Sequence, residues 1–370
     1  GVASAIAASP RGPLAAPGGD PPRGIGARMR APMTPIALRT LDGRAEWQHE
    51  LARAFTEPRA LLQHLGLPPD EPGLPASDLF PLRAPRPSVA RIRPGDRDAP
   101  LLLQVLPRAE ELAPAPGFTR DPLAEHRGAL PGLLHKYRGR ALVVLRGACA
   151  VHCRYCFRRH FPYDEHAVSA AALARIVEHV AGDPTIREVI LSGGDPLVAR
   201  DDALAAAVAA FAAIDRVIRL RIHTRLPVVI PSRVTPALVD LLAATRLQAV
   251  VVLHINHAQE IDAAVADACA RLRAAGVTLL NQSVLLRGVN DRVDALAALS
   301  ERLFAAGVLP YYLHLLDRVE GAAHFEVDEA QARALMAGLH AELPGFLVPR
   351  LVREVAGAPS KTPIDLRLEG

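Results

Sequence analysis

Lysine is almost missing from this chain. Of 43 basic residues only Lys136 and Lys361 are lysine, and the rest are arginine. A bias this strong replaces lysine wherever a positive charge suffices, so the two survivors are candidates for chemistry, with chance survival as the alternative. A guanidinium stays protonated, whereas a lysine amine can lose its proton and form a Schiff base. Long apolar runs are missing as well: none approaches the roughly 18 residues needed to cross a bilayer, so no membrane partner is expected. No hydrophobic stretch follows a basic start, so no secretory signal is expected and the expected compartment is the cytoplasm. Single-sign charge blocks are also lacking. The 43 basic and 39 acidic residues, net +4, are interspersed, which argues against a nucleic-acid-binding tail. Cysteine is scarce, at four residues, and three of them cluster. That excludes a disulfide framework and points to a reducing compartment. What remains is 370 residues at 50% hydrophobic content, enough for one large domain with an appendage or two ordinary ones.

The three clustered cysteines are Cys149, Cys153 and Cys156, a CxxxCxxC run just after the apolar segment Ala141 to Leu145. Three thiolates so close can hold three irons of a [4Fe–4S] cluster and leave the fourth iron open. An open iron can bind a small molecule and pass it an electron. Structural zinc is the rival, but it wants four ligands in paired spacing. The remaining cysteine, Cys269, lies in an apparent amphipathic helix over 259–275 without a second pair around it.

Four regions follow from composition and periodicity. Residues 1–32 are rich in Gly, Pro, Ala and Arg without periodicity and are expected to be a disordered tail. Residues 33–130 form a helical and Pro-rich region. Two short helices over 46–65 break at Pro58, with Trp47 as a packing residue, and prolines forbid long elements from Leu67 to Pro100. Residues 131–345 show a βα rhythm. Strands are expected at 141–146, 188–192, 218–224, 249–255, 277–284 and 310–316, and helices at 170–180, 203–213, 236–244, 261–275 and 294–306. After the first interval the strand starts recur about every thirty residues, the length of a βα unit. Six units give an α/β fold, a partial (β/α)6 barrel with an N-terminal helical extension. Residues 346–370 form a C-terminal segment carrying Lys361.

In parallel β/α folds functional groups gather at the C-terminal ends of strands. The polar groups Ser192-Gly193-Gly194-Asp195, His223-Thr224-Arg225, His254 to His257, Gln282-Ser283 and His314 to Asp317 fall there. The glycine pair would let backbone approach a ligand with no Cβ in the way, although an ordinary strand-to-helix turn looks the same. His254 and Gln282, taken singly, are polar residues of a barrel rim.

The three cysteines, the extended run CRYCFRRHFPY, SGGDPL and the KTP around Lys361 together resemble the radical S-adenosylmethionine (SAM) lysine 2,3-aminomutase family. The likeness runs from about Met33 to the end and is greatest to the short bacterial members that make β-lysine for elongation factor P. It implies the radical SAM barrel and three cofactors: a [4Fe–4S] cluster on Cys149, Cys153 and Cys156, SAM, and pyridoxal 5′-phosphate (PLP). It implies SAM contacts from Tyr155, Ser192, Gly193, Gly194, Asp195, His254 and Gln282. Lys361 is implied as the Schiff-base lysine for PLP, with Lys136 and Arg140 on its phosphate. Arg158 is implied to meet the carboxylate of an L-lysine substrate, and Asp317 and Glu354 its ε-ammonium. Implied partners are a reductase or flavodoxin-like electron donor, elongation factor P and its lysyl ligase.

Departures from the family pattern are informative. Lys136 stands where better-known members have arginine, and Glu354 where longer ones have aspartate. The longer members' zinc cysteines are replaced by Arg292 and by the chain ending nine residues after Lys361, so no zinc is expected. Glutamate as substrate would face repulsion from both acids, roughly 4 kcal/mol per close pair at an effective dielectric near 20. A radical SAM aminomutase acting on another amino acid such as glutamate, and an iron–sulfur electron carrier or sensor, stay as alternatives.

Overall fold

A computed structural model describes residues 44–70, 73–126, 130–166 and 168–367. The expected tail over 1–32 and the family-like start at Met33 lie outside them.

The centre is one nine-stranded sheet whose spatial order is the chain order: β1 (Leu133–Tyr137), β2 (Arg140–Arg146), β3 (Glu188–Gly193), β4 (Arg219–Thr224), β5 (Gln248–His254), β6 (Thr278–Val284), β7 (Leu309–His314), β8 (Arg350–Arg353) and β9 (Thr362–Pro363). Strands β2 to β8 run parallel. The first and last pairs are antiparallel. Each of β2 to β7 is followed by a helix: Ala170–Gly182, Asp201–Ala212, Pro236–Ala244, Ala263–Ala274, Val293–Ala305 and Glu329–Glu342. This is a partial (β/α)6 barrel, extended by three strands.

Alternation explains which way each strand faces. In β4, Leu220, Ile222 and Thr224 are buried while Arg219, Arg221 and His223 are only partly so. Side chains of period two send one set under the helices and the other toward the barrel interior. The helices are capped as their sequences dictate: Ser169, Thr235, Asp262 and Asp328 each accept a hydrogen bond from a backbone N–H three residues on.

Three expectations need correction. Lys136 and Arg140 do not precede the first strand. They sit in β1 and at the start of β2, joined by a tight turn at Gly139 with φ +82°. Strands β8 and β9 were not expected, being four and two residues long. Nor was the helix Glu329–Glu342, although Asp328 before an Ala- and Leu-rich run signals it.

Helices Glu46–Ala52 and Pro58–His64 match the expected pair, with Pro58 opening the second helix where its missing N–H costs nothing. Trp47 is buried, and the Arg233 guanidinium lies over its ring at 4.7 Å. The Pro-rich stretch forms only four-residue helices, at Ala76–Leu79, Arg86–Val89 and Pro100–Leu103. Its role is to hold the cysteine loop. Fully buried Arg154 makes a fork to Glu111 at 2.8 and 2.6 Å and donates to the Phe80 carbonyl at 2.6 Å. The backbone N–H of His152 donates to the Arg83 carbonyl, and that of Arg154 to the Gln104 carbonyl.

Candidate active site

The cysteine loop leaves the end of β2 and packs on the loop after β3. Gly194 N donates to Arg146 O at 2.8 Å and Asp195 N to Ala148 O at 3.0 Å. A Cβ on Gly193 would lie 2.3 Å from Arg146 O, and one on Gly194 would lie 2.5 and 2.6 Å from the carbonyls of Gly147 and Ala148. Gly193 also has φ +126°. The glycine pair thus spends its missing side chains on the cysteine loop's own backbone.

Asp195 ties the loop to β4. Its buried carboxylate accepts from Leu197 N at 3.0 Å, Thr224 Oγ1 at 2.7 Å, Arg225 N at 2.8 Å and Leu226 N at 3.0 Å. It is fully used inside the protein. Burial pushes its carboxyl up, against those hydrogen bonds.

Cys149, Cys153 and Cys156 are each partly exposed, and Cys269 is buried away from them in the helix Ala263–Ala274. Burial and the neighbouring thiols push Cys149 up, and burial pushes Cys156 up to about 11. The Cys149 and Cys156 thiols therefore hold their protons until a metal displaces them. Among the described residues no group of three or more His, Cys, Asp or Glu is gathered around a single ion. A cube asks for something else, one sulfur to each of three irons, and three thiols on one short loop fit that demand.

Around the loop stands a polar ring. Tyr155 is buried, its hydroxyl 3.2 Å from His254 Nε2 and 2.7 Å from the donating Asn256 Nδ2. His254 and Gln282 are register partners on β5 and β6, and Gln282 pairs in turn with Tyr312 on β7. Burial, followed by the Arg225 charge, brings His254 down to about 3, so it is neutral.

The other half of the site is an unbroken path of charges. Arg158, two residues beyond Cys156, makes a fork to Glu125 at 2.6 and 3.2 Å and donates to Ser192 Oγ at 3.1 Å. Glu125 also pairs with Lys136 Nζ at 2.7 Å. Lys136 reaches Glu354 at 3.5 Å, and Glu354 pairs with Lys361 Nζ at 2.5 Å. Tyr137 donates to the same carboxylate at 3.0 Å, and Arg140 stacks over the Tyr137 ring at 4.5 Å. One face therefore carries both the residues next to the cysteines and the C-terminal lysine.

The electrostatics divide the acids. Burial alone would raise Glu354, but Lys361 and Lys136 bring it down to about 2. Among the described residues Asp317 has no such ion pair, and burial together with the Glu354 charge pushes it up to about 7. Burial, followed by the charge of Lys361, holds His314 well below the usual histidine value; burial, then Arg221 and Lys361, does the same to His223. Among the described residues the Nε2 atoms of both have no hydrogen-bond partner, and both are buried. Two orphaned ring nitrogens, a half-neutral carboxyl and an amine on one face are what a polar ligand would complete. The donor set therefore fits an amine-bearing substrate and a carbonyl cofactor at Lys361.

Sequence alone gave no sign of Glu125 or Tyr137 as parts of this arrangement, and Arg225 and Asn256 were visible only as polar strand ends. His223 and His314 were visible only as polar strand ends.

The radical SAM superfamily model matches residues 143–299. The chain is 50% identical over 339 residues to a protein named L-lysine 2,3-aminomutase from Escherichia coli (strain K12), covering 91% of this chain and 99% of that one. It is also 50% identical over 319 residues to the protein of that name from Haemophilus influenzae, covering 85% and 94%. To the one from Clostridium subterminale it is 36% identical over 275 residues, covering 74% of this chain and 66% of the relative.

Proposed function

The chain belongs to the radical SAM L-lysine 2,3-aminomutase family, and from that premise we propose that it is an isomerase that moves the amino group of L-lysine from C2 to C3, giving β-lysine with the help of PLP. The observation that carries this reading is the path Arg158–Glu125–Lys136–Glu354–Lys361, which joins the cysteine loop to the one C-terminal lysine.

Cys149, Cys153 and Cys156 would hold the cluster. Bound there, the cluster and SAM supply a carbon radical strong enough to take hydrogen from an unactivated carbon, and PLP at Lys361 supplies a π-system that spreads an unpaired electron.

The chain's own residues do the placing. Lys361 offers its amine to a carbonyl, and Glu354 holds that amine in place. Lys136 and Arg140, on the β1–β2 hairpin, would face a phosphate; a phosphate on Lys136 would take the place Glu354 holds there. Arg158, whose fork is held by Glu125 here, would exchange that partner for the substrate carboxylate, and Asp317 and Glu354 would receive the ε-ammonium at the far end. Ser192, Gly193, Gly194 and Asp195 would shape the SAM side of the pocket through the loop they build, with Tyr155, His254 and Gln282 lining it. His223 and His314, both neutral, add no charge beside the migrating amine. Firm placement matters because a misplaced radical attacks the protein.

On this reading residues 131–345 form the barrel, 33–130 brace the cysteine loop and 346–370 bring the lysine. The likeness to short bacterial members supports a destination for β-lysine in the lysylation of elongation factor P through its ligase. It also supports a flavodoxin-like or reductase donor. Among the described residues no helix is long and apolar enough to cross a membrane.

The test is anaerobic reconstitution with iron, sulfide, SAM, PLP and L-lysine, followed by chromatography. β-Lysine from lysine and none of the corresponding isomer from glutamate supports the reading. Turnover of glutamate with lysine untouched overturns it.

A further inference from the structure

The buried guanidinium of Arg225 belongs to none of the roles above. It sits at the C-terminal end of β4, with its backbone N–H fixed by Asp195. Its side chain is 10% exposed. Nη1 donates to the Cys153 sulfur and to the Tyr155 hydroxyl, both at 2.7 Å. Nη2 donates to Gln104 Oε1 at 2.7 Å and to Glu260 Oε2 at 2.8 Å. Its Nε is buried, with no partner among the described residues.

Packing does not require a cation here. Asn256 Nδ2 already joins Gln104 at 3.0 Å and the Tyr155 hydroxyl at 2.7 Å, and the backbone N–H of Asn256 reaches Glu260 at 2.8 Å. These three neighbours are thus linked without Arg225. A buried charge costs free energy unless something compensates it, and Glu260 is the counter-ion it finds inside the protein. What Arg225 alone adds is a positive charge and an N–H directed at the sulfur of a cluster ligand. Hydrogen bonds and positive charge at the sulfurs of an iron–sulfur cluster stabilise its reduced form.

We infer that Arg225 is a positioning residue for the cluster that raises its reduction potential, by donating a hydrogen bond to Cys153 and placing a fixed cation beside it. In the step concerned, one electron from an external low-potential donor takes the [4Fe–4S] cluster from its 2+ to its 1+ state. No bond forms or breaks, and the donor is oxidised by one electron. The added negative charge appears next to the guanidinium, whose protonation does not change. The inference rests on the cysteines carrying a cluster, not on lysine being the substrate.

The experiment is an anaerobic redox titration with dithionite of reconstituted, SAM-free protein, followed by electron paramagnetic resonance and normalised to iron and sulfide content. Arg225→Gln is expected to shift the reduction equilibrium at least tenfold toward the oxidised cluster, 59 mV for one electron. Arg225→Lys, keeping the charge and losing the fork, is expected to fall between. Arg233→Gln, a change to a buried arginine that packs on Trp47 and touches no cysteine, is expected to leave the potential alone. A cluster-loaded Arg225→Gln protein at the wild-type potential overturns the inference and leaves a purely structural tie. If Arg225→Gln retains no cluster, Arg225→Lys decides: a lowered potential supports the inference and an unchanged one overturns it. Failure of the wild-type chain to take up any cluster would count against the cluster assignment instead.

Discussion

The Lys361 amine and the Glu354 carboxylate meet end to end, Nζ 2.5 Å from Oε2, across seven residues of chain that turn from β8 into β9. Register alone explains the meeting: Arg353 pairs with Thr362, which sets the next residue outward on each strand face to face.

That pair separates charge from chemistry. Lys361→Arg keeps the cation beside Glu354 and removes the amine that can become neutral. The variant is expected to fold with a stability change within about 1 kcal/mol, to lose the visible absorbance of bound PLP, and to make no β-lysine. Absorbance spectra and thermal melts of the wild type and variant check this.

Asp317 and Glu354 titrate in opposite senses. Asp317 binds its proton more tightly in the folded protein, so its contribution to stability is present below its unfolded value of 3.8 and is lost as pH rises through about 7. Glu354 contributes above its unfolded value of 4.5 and loses that contribution as pH falls through about 2. Asp317→Asn is therefore expected to flatten the decline in stability between pH 4 and 7. An ionised Asp317 is also what would hold the ε-ammonium. The wild-type KM for lysine is then expected to drop as pH rises toward 7, by up to about tenfold per unit, and to stay flat in Asp317→Asn. Denaturation midpoints and KM profiles across pH 5–8 check both.

The cysteine loop depends on Glu111. Its carboxylate takes the Arg154 fork and also Arg159 at 2.8 Å, and the side chains of Glu111 and Arg154 are fully buried. Glu111→Ala leaves two guanidinium groups without their acid and is expected to cost about 3–5 kcal/mol, the usual penalty for breaking a buried pair. Lost iron retention should accompany it, measured by iron content after desalting.

Gly194→Ala tests the contact between the two loops. Its Cβ would lie 2.5 Å from Gly147 O, and backbone cannot yield as a flexible side chain can. The variant is expected to lose about 3 kcal/mol, the upper end of overpacking costs, and to bind less cluster. Urea denaturation with parallel iron analysis reads both.

Sequence made the barrel and the cysteines legible for plain reasons. Strands β2 to β7 are short apolar runs separated by long Ala-rich stretches, and Cys149 to Cys156 are local in the chain. The ring and the charge path are not local. Arg158 meets Glu125 across 33 residues and Lys136 meets Glu354 across 218, so no window of sequence holds either pair. Glu125 is aimed by its own turn: Ala124 has φ +52°, and Asp121 accepts from Glu125 N at 2.8 Å. Nothing in Asp121 to His126 announces that. The glycines after Ser192 were legible as a need for space, but which neighbour fills the space is fixed only by the fold. Strand β9 is two residues long and gains its meaning from β8, which the chain reaches only after the helix Glu329–Glu342.

The most direct measurement is the fate of hydrogen at C3. L-Lysine deuterated at C3, incubated anaerobically with the reconstituted enzyme, SAM and PLP, should give β-lysine carrying deuterium at C2 and 5′-deoxyadenosine that has acquired deuterium, both lost in Lys361→Arg. Recovery of unchanged lysine beside unlabelled deoxyadenosine would show that the radical side and the lysine side do not share one pocket.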